Sequence, residues 1–579
     1  LQYTPGLVIT RAGGSGQSSR VSIRGSSAGQ VLVLIDGVPL NGPMSGEADL
    51  SHISLETVER VTVRTGAQSA RYGARAMAGV IEIQSRKATG ELSALVRGGA
   101  LGERNISVAA GGVNERRTFS SSASLVADYR TSDGRFSYTL PALRGAERAK
   151  RINSDATTTQ VSGNAAIEGA FGTAALRGAW QRTERGLAGS IIQPSTTGRQ
   201  ASARLGAGLS WNGMLARVAW TAAADITREQ ATFTDARPPF APPFNDSVNA
   251  SGVVASTTGT ITGSVATAAV GAELRTLDVM STMLAAGSPH FQSLAGSWGN
   301  LRHSRTLSQL GIELEADLSA RIDHNSLAAD NVFSPAVALR MSRGLIVTSV
   351  SLGSGFAPPT LADQFFHEGV QVRANPNLRA ERTEHDFQTR LTLQQTAVGP
   401  VLLGAEAAAY RSNVQGMILW LPDFRFIWSP GNYDVHRSGW DVSTKAGLPF
   451  AHFETQATFN RSDVSYAGNV LSGQVAYRPR HTASIGASFA PDIFRFDIAS
   501  KFIGARRTVA GSALNMLDEY WMTDARASSQ FARRAWTCNV AVGIENLFNR
   551  EAAMLVDYPF PTRTWSISLR VRRTNSHSP

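Results

Sequence analysis

Two arginines at the ends of short apolar runs carry the clearest chemical demand in this sequence. Arg24 follows Val21-Ser22-Ile23 and precedes Gly25, and Arg64 closes Val61-Thr62-Val63 and precedes Thr65-Gly66. A guanidinium does not lose its proton in a protein, so an enclosed one needs an acidic partner. Sets suited to covalent chemistry are not found. The chain has 1 Cys and 10 His, without zinc spacing, and Cys538 alone forms no internal disulfide. There is no Walker loop or dinucleotide fingerprint, and Gly14-Ser15-Gly16 lacks the strand-to-helix setting of a nucleophile elbow. Glu313 and Glu315 share a strand face and read as lining of a wet surface. Asn153-Ser154-Asp155 and Asn245-Asp246 offer oxygens of the kind calcium takes, but no dense acidic cluster surrounds them. The reading is therefore of a protein that is not an enzyme, with no metal or cofactor assigned.

The elements that position the arginines lie in residues 1–87. Val31-Leu32-Val33-Leu34-Ile35 is a continuous apolar run, suited to a strand buried on both faces. Val58–Arg64 and Val80–Ile83 alternate and predict half-buried strands. Two polar loops separate these runs. Arg11–Ser19 is rich in Gly and Ser, and Asn41–Asp49 contains Gly42-Pro43-Met44-Ser45-Gly46. Both are turn-forming. A unit this small with short strands is a marginal core alone, so something larger must surround it.

From Glu91 onward the pattern changes. Alternating segments recur to the C-terminus, the clearest being Trp565-Ser566-Ile567-Ser568-Leu569-Arg570-Val571-Arg572. Trp211-Asn212-Gly213 reads as a hairpin turn between two such segments. No run approaches about 18 consecutive apolar residues, so no spanning helix is expected. A membrane protein without one must be a closed barrel, with one strand face to lipid and the other to a wet lumen. Charged residues are 17%, which fits interleaved apolar and small polar residues. The net charge is +11 but the basic residues are dispersed, which argues against nucleic acid and for arginines lining a lumen or facing lipid headgroups. Polar stretches at Thr131–Ser154, Gly186–Thr197, Thr234–Asn249, Asp278–Phe291, Gln364–Asn377 and Asp423–Tyr433 are expected to be long extracellular loops.

Five ordered blocks in the first 87 residues resemble the plug domain of TonB-dependent outer-membrane receptors. They are Pro5-Gly6-Leu7-Val8-Ile9, Val21–Gly25, Leu34-Ile35-Asp36-Gly37, Val58–Gly66 and Ser69–Ile83. Gly355–Thr360, Asn375–Glu381 and Gly543–Asn549 resemble barrel blocks of the same family. Gly13–Gln17 and Ser45–Ser51 resemble two loops of its cobalamin-transporter branch, although Ala12 stands where that branch has Asn. The resemblance implies a membrane all-β fold: an N-terminal α+β plug (1–87) in the lumen of a 22-stranded antiparallel transmembrane β-barrel (88–579). The implied function is TonB-dependent transport of a scarce large nutrient, cobalamin or a ferric siderophore-like chelate, across the bacterial outer membrane. The alternative is an outer-membrane binding or structural protein without energised transport. Implied partners are the TonB–ExbB–ExbD system, outer-membrane lipid and a small-molecule substrate, with the chain a monomer.

The resemblance also assigns residues. Arg11, Gln17, Ser45 and Glu47, on the two plug loops, would form the floor of the substrate site. Arg24 and Arg64 would lock plug to barrel, with Asp441, of Gly439-Trp440-Asp441, as one acidic partner. The second acidic position holds Phe387, which leaves Asp386 and Glu384 as the nearest carboxylates. The segment that contacts TonB in such receptors is expected to lie ahead of Leu1, and the signal peptide likewise. The stretch beyond Val571 to Pro579 makes an atypical end for such a barrel.

Overall fold

The computed structural model describes residues 4–87, 90–141, 145–239, 241–327, 330–368, 372–423, 425, 427–468, 471–509 and 516–574. Leu1, Phe240 and Pro579 lie outside the described residues.

The N-terminal unit has six short strands: β1 (Leu7–Arg11), β2 (Ser19–Ile23), β3 (Val31–Ile35), β4 (Val38–Pro39), β5 (Val58–Thr65) and β6 (Gly79–Ser85). β1 and β2 form a separate antiparallel pair, and the rest form a sheet in the order β4-β3-β6-β5. β3 is central, and its two faces pack into different clusters, Val31 and Val33 on one side and Leu32 and Leu34 on the other. The expected half-burial of the alternating runs does not hold. Val80, Ile81 and Ile83 of β6 are all buried, because β6 lies between β3 and β5. β5 is the sheet edge and leaves Val61 exposed.

Around this unit a closed barrel runs from Glu91–Gly99 to Thr564–Thr574, and those two strands pair antiparallel to close it. It contains 22 strands in chain order, each antiparallel to the next. Trp565, Ile567 and Leu569 face outward while Arg570 turns inward, as the alternation requires. The connections at one end are tight, as between Gly172–Gly186 and its predecessor Ala156–Gly169. Those at the other end are long, and this end faces outward from the cell. No helix of the described residues is long and apolar enough to cross a membrane.

Three sequence expectations change. Trp211-Asn212-Gly213 is not a turn but part of strand Arg199–Leu215, with Asn212 opposite Thr221. Gly213 is there to admit the Trp211 ring, which would lie 2.5 Å from a Cβ at that position. The chain reverses instead after Leu215, with Ala216 at φ 55°. The loops expected at Thr234–Asn249 and Asp423–Tyr433 are shorter, because strands Phe244–Thr262 and Trp428–Leu448 occupy part of them. Strands of 19 and 21 residues exceed the ~9–11 that cross a bilayer, so their polar outer ends project beyond the lipid. Long connections also occur at 466–481, 503–520 and 545–564, where short strand pairs and scattered apolar residues hid them in the sequence.

Leu318 lies midway along Ile312–Asn325 and is 51% exposed on the outer wall, while its neighbour Ser319 meets Asp317 and Asn300 inside. Leu318→Arg should therefore cost about 2–4 kcal/mol of barrel stability in lipid, and Ser319→Arg much less. Reversible denaturant unfolding in liposomes measures both.

Candidate functional site

The plug is gripped from all sides of the wall. Arg24 sits at φ 51° with Gly25 at φ 73°, in a tight turn closed by Ser26 N–H donating to the Ile23 carbonyl at 3.0 Å. Two left-handed central residues make a type I′ geometry, which projects the Arg24 side chain off the end of β2. Its Nη2 and Nε donate to Asp441 Oδ2 at 2.6 and 2.9 Å, and Nη1 to Gln388 Oε1 at 2.6 Å. The guanidinium also lies 4.2 Å over the Tyr410 ring, and Asn460 donates to the other Asp441 oxygen at 2.5 Å. Both charges are buried. Trp440 faces outward, so alternation turns Asp441 into the lumen. Gly6, at φ +67°, leaves room for the pair: a Cβ there would lie 3.1 Å from Arg24 Cγ and 3.2 Å from Asp441 Oδ1.

Arg64 does not join this cluster. It donates to Glu82 at 3.0 Å on the neighbouring strand β6, and Tyr72 donates to the same carboxylate at 3.1 Å. A half-exposed edge-strand arginine with a cross-strand carboxylate is satisfied within the plug and needs nothing from the wall. Phe387 faces outward, and so does Glu384. A register shift between Thr383 and Asp386 instead buries Asp386 against the plug turn, where a Cβ on Gly66 would lie 2.9 Å from its Oδ1.

Further contacts fall where no sequence block pointed. Gln30 Nε2 donates to Glu381 at 2.8 Å. Arg570 makes a bidentate pair with Glu56, both bonds 2.7 Å. Arg185 donates to Asp49 at 2.9 Å, and Asp49 also accepts from the Ser19 amide at 2.9 Å and the Ser51 hydroxyl at 2.7 Å. Wall cations reach plug carbonyls as well: Arg204 to Pro39, Arg275 to Tyr72, Arg478 to Gly25 and Lys501 to Leu7, at 2.8–3.2 Å. A share of the basic excess thus serves to hold the plug.

The four floor residues separate. Gln17 does not face the mouth: it is buried, and its amide donates to the carbonyls of Ser154 at 3.1 Å and Gly186 at 3.3 Å. Arg11 and Ser45 are exposed, while Glu47 pairs with Arg20 at 2.9 Å. Burial raises the Glu47 carboxyl, with Arg20 opposing. Arg75, Asp363 and Arg478 share its surroundings, and Lys501, Tyr520 and Glu545 share those of Arg11. Two outer loops fold inward over this floor. In one, the helix Leu361–Phe365 packs with Met44 of the plug, and in the other Met554 packs with Val8. The residues that offered oxygens for calcium are engaged with other parts of the chain. The Asn153 amide donates to three carbonyls, Asp155 pairs with Arg199 at 2.8 Å, and Asp246 accepts from Thr282 at 3.0 Å. No group of three His, Cys, Asp or Glu placed to hold a metal occurs among the described residues.

Two expected outcomes follow from the seat. Asp441→Ala strands the Arg24 charge and should loosen the plug by about 3–5 kcal/mol while the barrel still assembles. Raised protease access to residues 4–87, with unchanged heat-modifiability of the barrel, measures this. Asp49 gives a pH dependence. Burial alone would raise its carboxyl. His52 and Arg185, with hydrogen bonds from Ser19 and Ser51, bring it down to about 2 from an ordinary 3.8. The lowered folded value means the contribution, about 2 kcal/mol, is full above about pH 4 and is lost as pH falls through about 2. Asp49→Asn should therefore weaken plug retention at neutral pH and converge on wild type near pH 2.

Residues 1–80 match the TonB-dependent receptor plug domain and residues 103–547 the TonB-dependent receptor-like β-barrel. Among solved structures, the chain resembles the siderophore receptor PirA from Acinetobacter baumannii (TM-score 0.75, 13% identity, covering 99% of this chain and 95% of that one). It also resembles the copper transporter OprC (TM-score 0.77, 15% identity, 98% and 94%) and the unliganded ferric citrate transporter FecA (TM-score 0.73, 14% identity, 99% and 93%). At such identities these likenesses establish the fold, while the two domain matches cover most of the sequence. With its plug and closed 22-stranded wall, this chain belongs to the TonB-dependent receptor family, is a receptor rather than an enzyme, and resides in the outer membrane.

Proposed function

We propose that the protein takes up an anionic, ferric siderophore-like chelate across the outer membrane, driven through TonB–ExbB–ExbD, with cobalamin as the alternative cargo. The observation that carries this is the exposed charge of the mouth floor: Arg11 and Arg20 are exposed there, within a mixed set in which Arg75, Arg97, Arg478 and Lys501 stand with Glu47, Glu103, Asp363, Asp524 and Glu545. Exposed guanidinium groups on a concave floor attract anions and raise their local concentration. Nothing comparable favours cobalamin, since Ala12 replaces the branch's Asn. The similar solved structures, a siderophore receptor and a ferric citrate transporter among them, support the same class of cargo.

The plug's architecture suits a pull from the periplasm. β1 and β2 share no rung with the four-stranded sheet. A force arriving ahead of Pro5 therefore loads this pair first, and each rung can part in turn while the buried sheet stays intact. Arg24, at the end of β2, is the point where that unzipping meets the wall.

The test is uptake in a host lacking its own iron receptors. Iron(III) citrate or an iron(III) tris-catecholate should enter only with an intact proton gradient. Arg11→Gln with Arg20→Gln should raise the Kd for the anionic probe about 10-fold, equivalent to about 1.4 kcal/mol. Gradient-dependent uptake of cyanocobalamin with no uptake of either iron chelate would overturn the reading. Binding without uptake would leave a receptor that does not transport.

A further inference from the structure

Two buried cations in the outer loops make no direct ion pair among the described residues. Arg506 is 0% exposed and Arg151 is 4% exposed. Arg506 donates to the carbonyls of Gly504 at 3.4 Å, Asp518 at 3.2 Å and Ala553, and its Nε has no acceptor. Arg151 donates to the Gly189 carbonyl, and its Nη1 has no acceptor. Neither forms an ion pair among the described residues. Each lies against a phenol, Arg506 5.5 Å over Tyr520 and Arg151 5.7 Å over Tyr558.

Both lie against the same element. Ala553–Leu555 and Tyr558–Pro559 form a small hairpin with Ala553 opposite Pro559 and Leu555 opposite Tyr558. Arg506 hydrogen-bonds its first rung at Ala553, and Arg151 lies over the ring of Tyr558 in its second. The tip, with Asp557 at φ 65°, is fixed by Ile191 N–H donating to the Asp557 carbonyl at 3.0 Å. The inner side, Met554, is buried against Val8 of β1. The hairpin is thus the stopper in which several outer loops meet above the plug.

The energetics of this clamp are odd for a purely structural one. A neutral amide would serve a carbonyl without the cost of burying a charge, which for an unpaired cation is several kcal/mol. Arginine is suited to oxygens that carry negative charge and can take two parallel bonds. Here two arginines make do with neutral carbonyls and keep donors idle. We propose that the hairpin is an internal stand-in for the ligand. Arg151 and Arg506 form a binding site for the anionic oxygens of the chelate, and the ligand reaches it only by evicting the hairpin from above β1. The tyrosines now covered, Tyr520 and Tyr558, then supply apolar faces for the ligand body. This rests on the anionic-cargo reading above and adds to it where the cargo binds and what it must displace.

The experiment uses the full chain in nanodiscs, with Cys538→Ser to remove background and Met554→Cys as a reporter. Iron(III) citrate and an iron(III) tris-catecholate are the probes, and cyanocobalamin is the neutral control. An anionic probe should speed maleimide labelling of position 554 at least about 10-fold, and the control should not. Arg151→Gln with Arg506→Gln keeps amide donors at both positions but removes the charge, and should weaken anionic-probe binding by the same factor. Lysine at both positions should restore part of it. Cross-linking Ile191→Cys to Asp557→Cys with a short bismaleimide should abolish binding with both arginines intact. Unchanged affinity in the double glutamine variant, or full binding by the cross-linked form, would overturn the hairpin site. If binding still falls on Arg11→Gln with Arg20→Gln, the anionic-cargo reading survives that failure. Absence of any anionic-probe binding to the parent chain would overturn both.

Discussion

The Arg24–Asp441 pair sets the terms for the rest of the molecule. A folded unit inside a barrel has to be fixed well enough to seal a wide lumen and loosely enough to move. An apolar plug–wall interface would fix it permanently, since the lumen face of the wall would then be one continuous core. A buried ion pair does something different. It is strongly favoured when both charges are seated, and strongly penalised when one is left alone. Its surroundings here are arranged to keep both seated, with Gln388 and Asn460 completing the hydrogen bonds and Gly6 leaving the space.

The remaining plug–wall contacts repeat the same logic at lower cost. Wall arginines and Lys501 reach plug carbonyls, and each such bond is worth about 1.5–3 kcal/mol because a charge is involved. They are separate in space, so they can break one after another. Two carboxylates on the plug, Asp49 and Glu56, answer wall arginines far apart in the sequence, Arg185 and Arg570. The asymmetry is consistent: cations are mostly on the wall, acceptors mostly on the plug. The central lock runs the other way, with Arg24 on the plug and Asp441 on the wall.

The mouth is built on another constraint. Outer loops are long and polar, and ordinarily lie in water. Two of them instead carry apolar residues that fold inward onto the plug, Leu361 and Phe365 on one and Met554 on the other. The floor loops are therefore partly roofed, with Arg11 and Ser45 left exposed, and Gln17 is turned into the wall rather than toward a ligand. Access to the floor is a matter of moving loops before it is a matter of moving the plug.

Much of this was legible in the sequence, for local reasons. Alternation from Trp565 to Arg572 states that one face meets lipid and the other water, whatever lies nearby. The unbroken run Val31–Ile35 states that a strand is covered on both faces, and it is the centre of its sheet. Arg24, before a glycine at the end of a strand, had to leave the plug edge, and alternation next to Trp440 had to turn Asp441 inward. Tertiary structure decided what those signals do not contain. Arg64 looked equivalent to Arg24 but found Glu82 across a strand pairing that only the register fixes. Gln17 lay in a loop whose composition says turn, not direction, and the loop's partners are 137 and 169 residues away. Asp49 with Arg185, Glu56 with Arg570, and the hairpin over Val8 join segments that no periodicity links. Side-chain alternation is fixed by the two-residue repeat of the strand itself, whereas the choice of partner across a lumen depends on how 22 strands close.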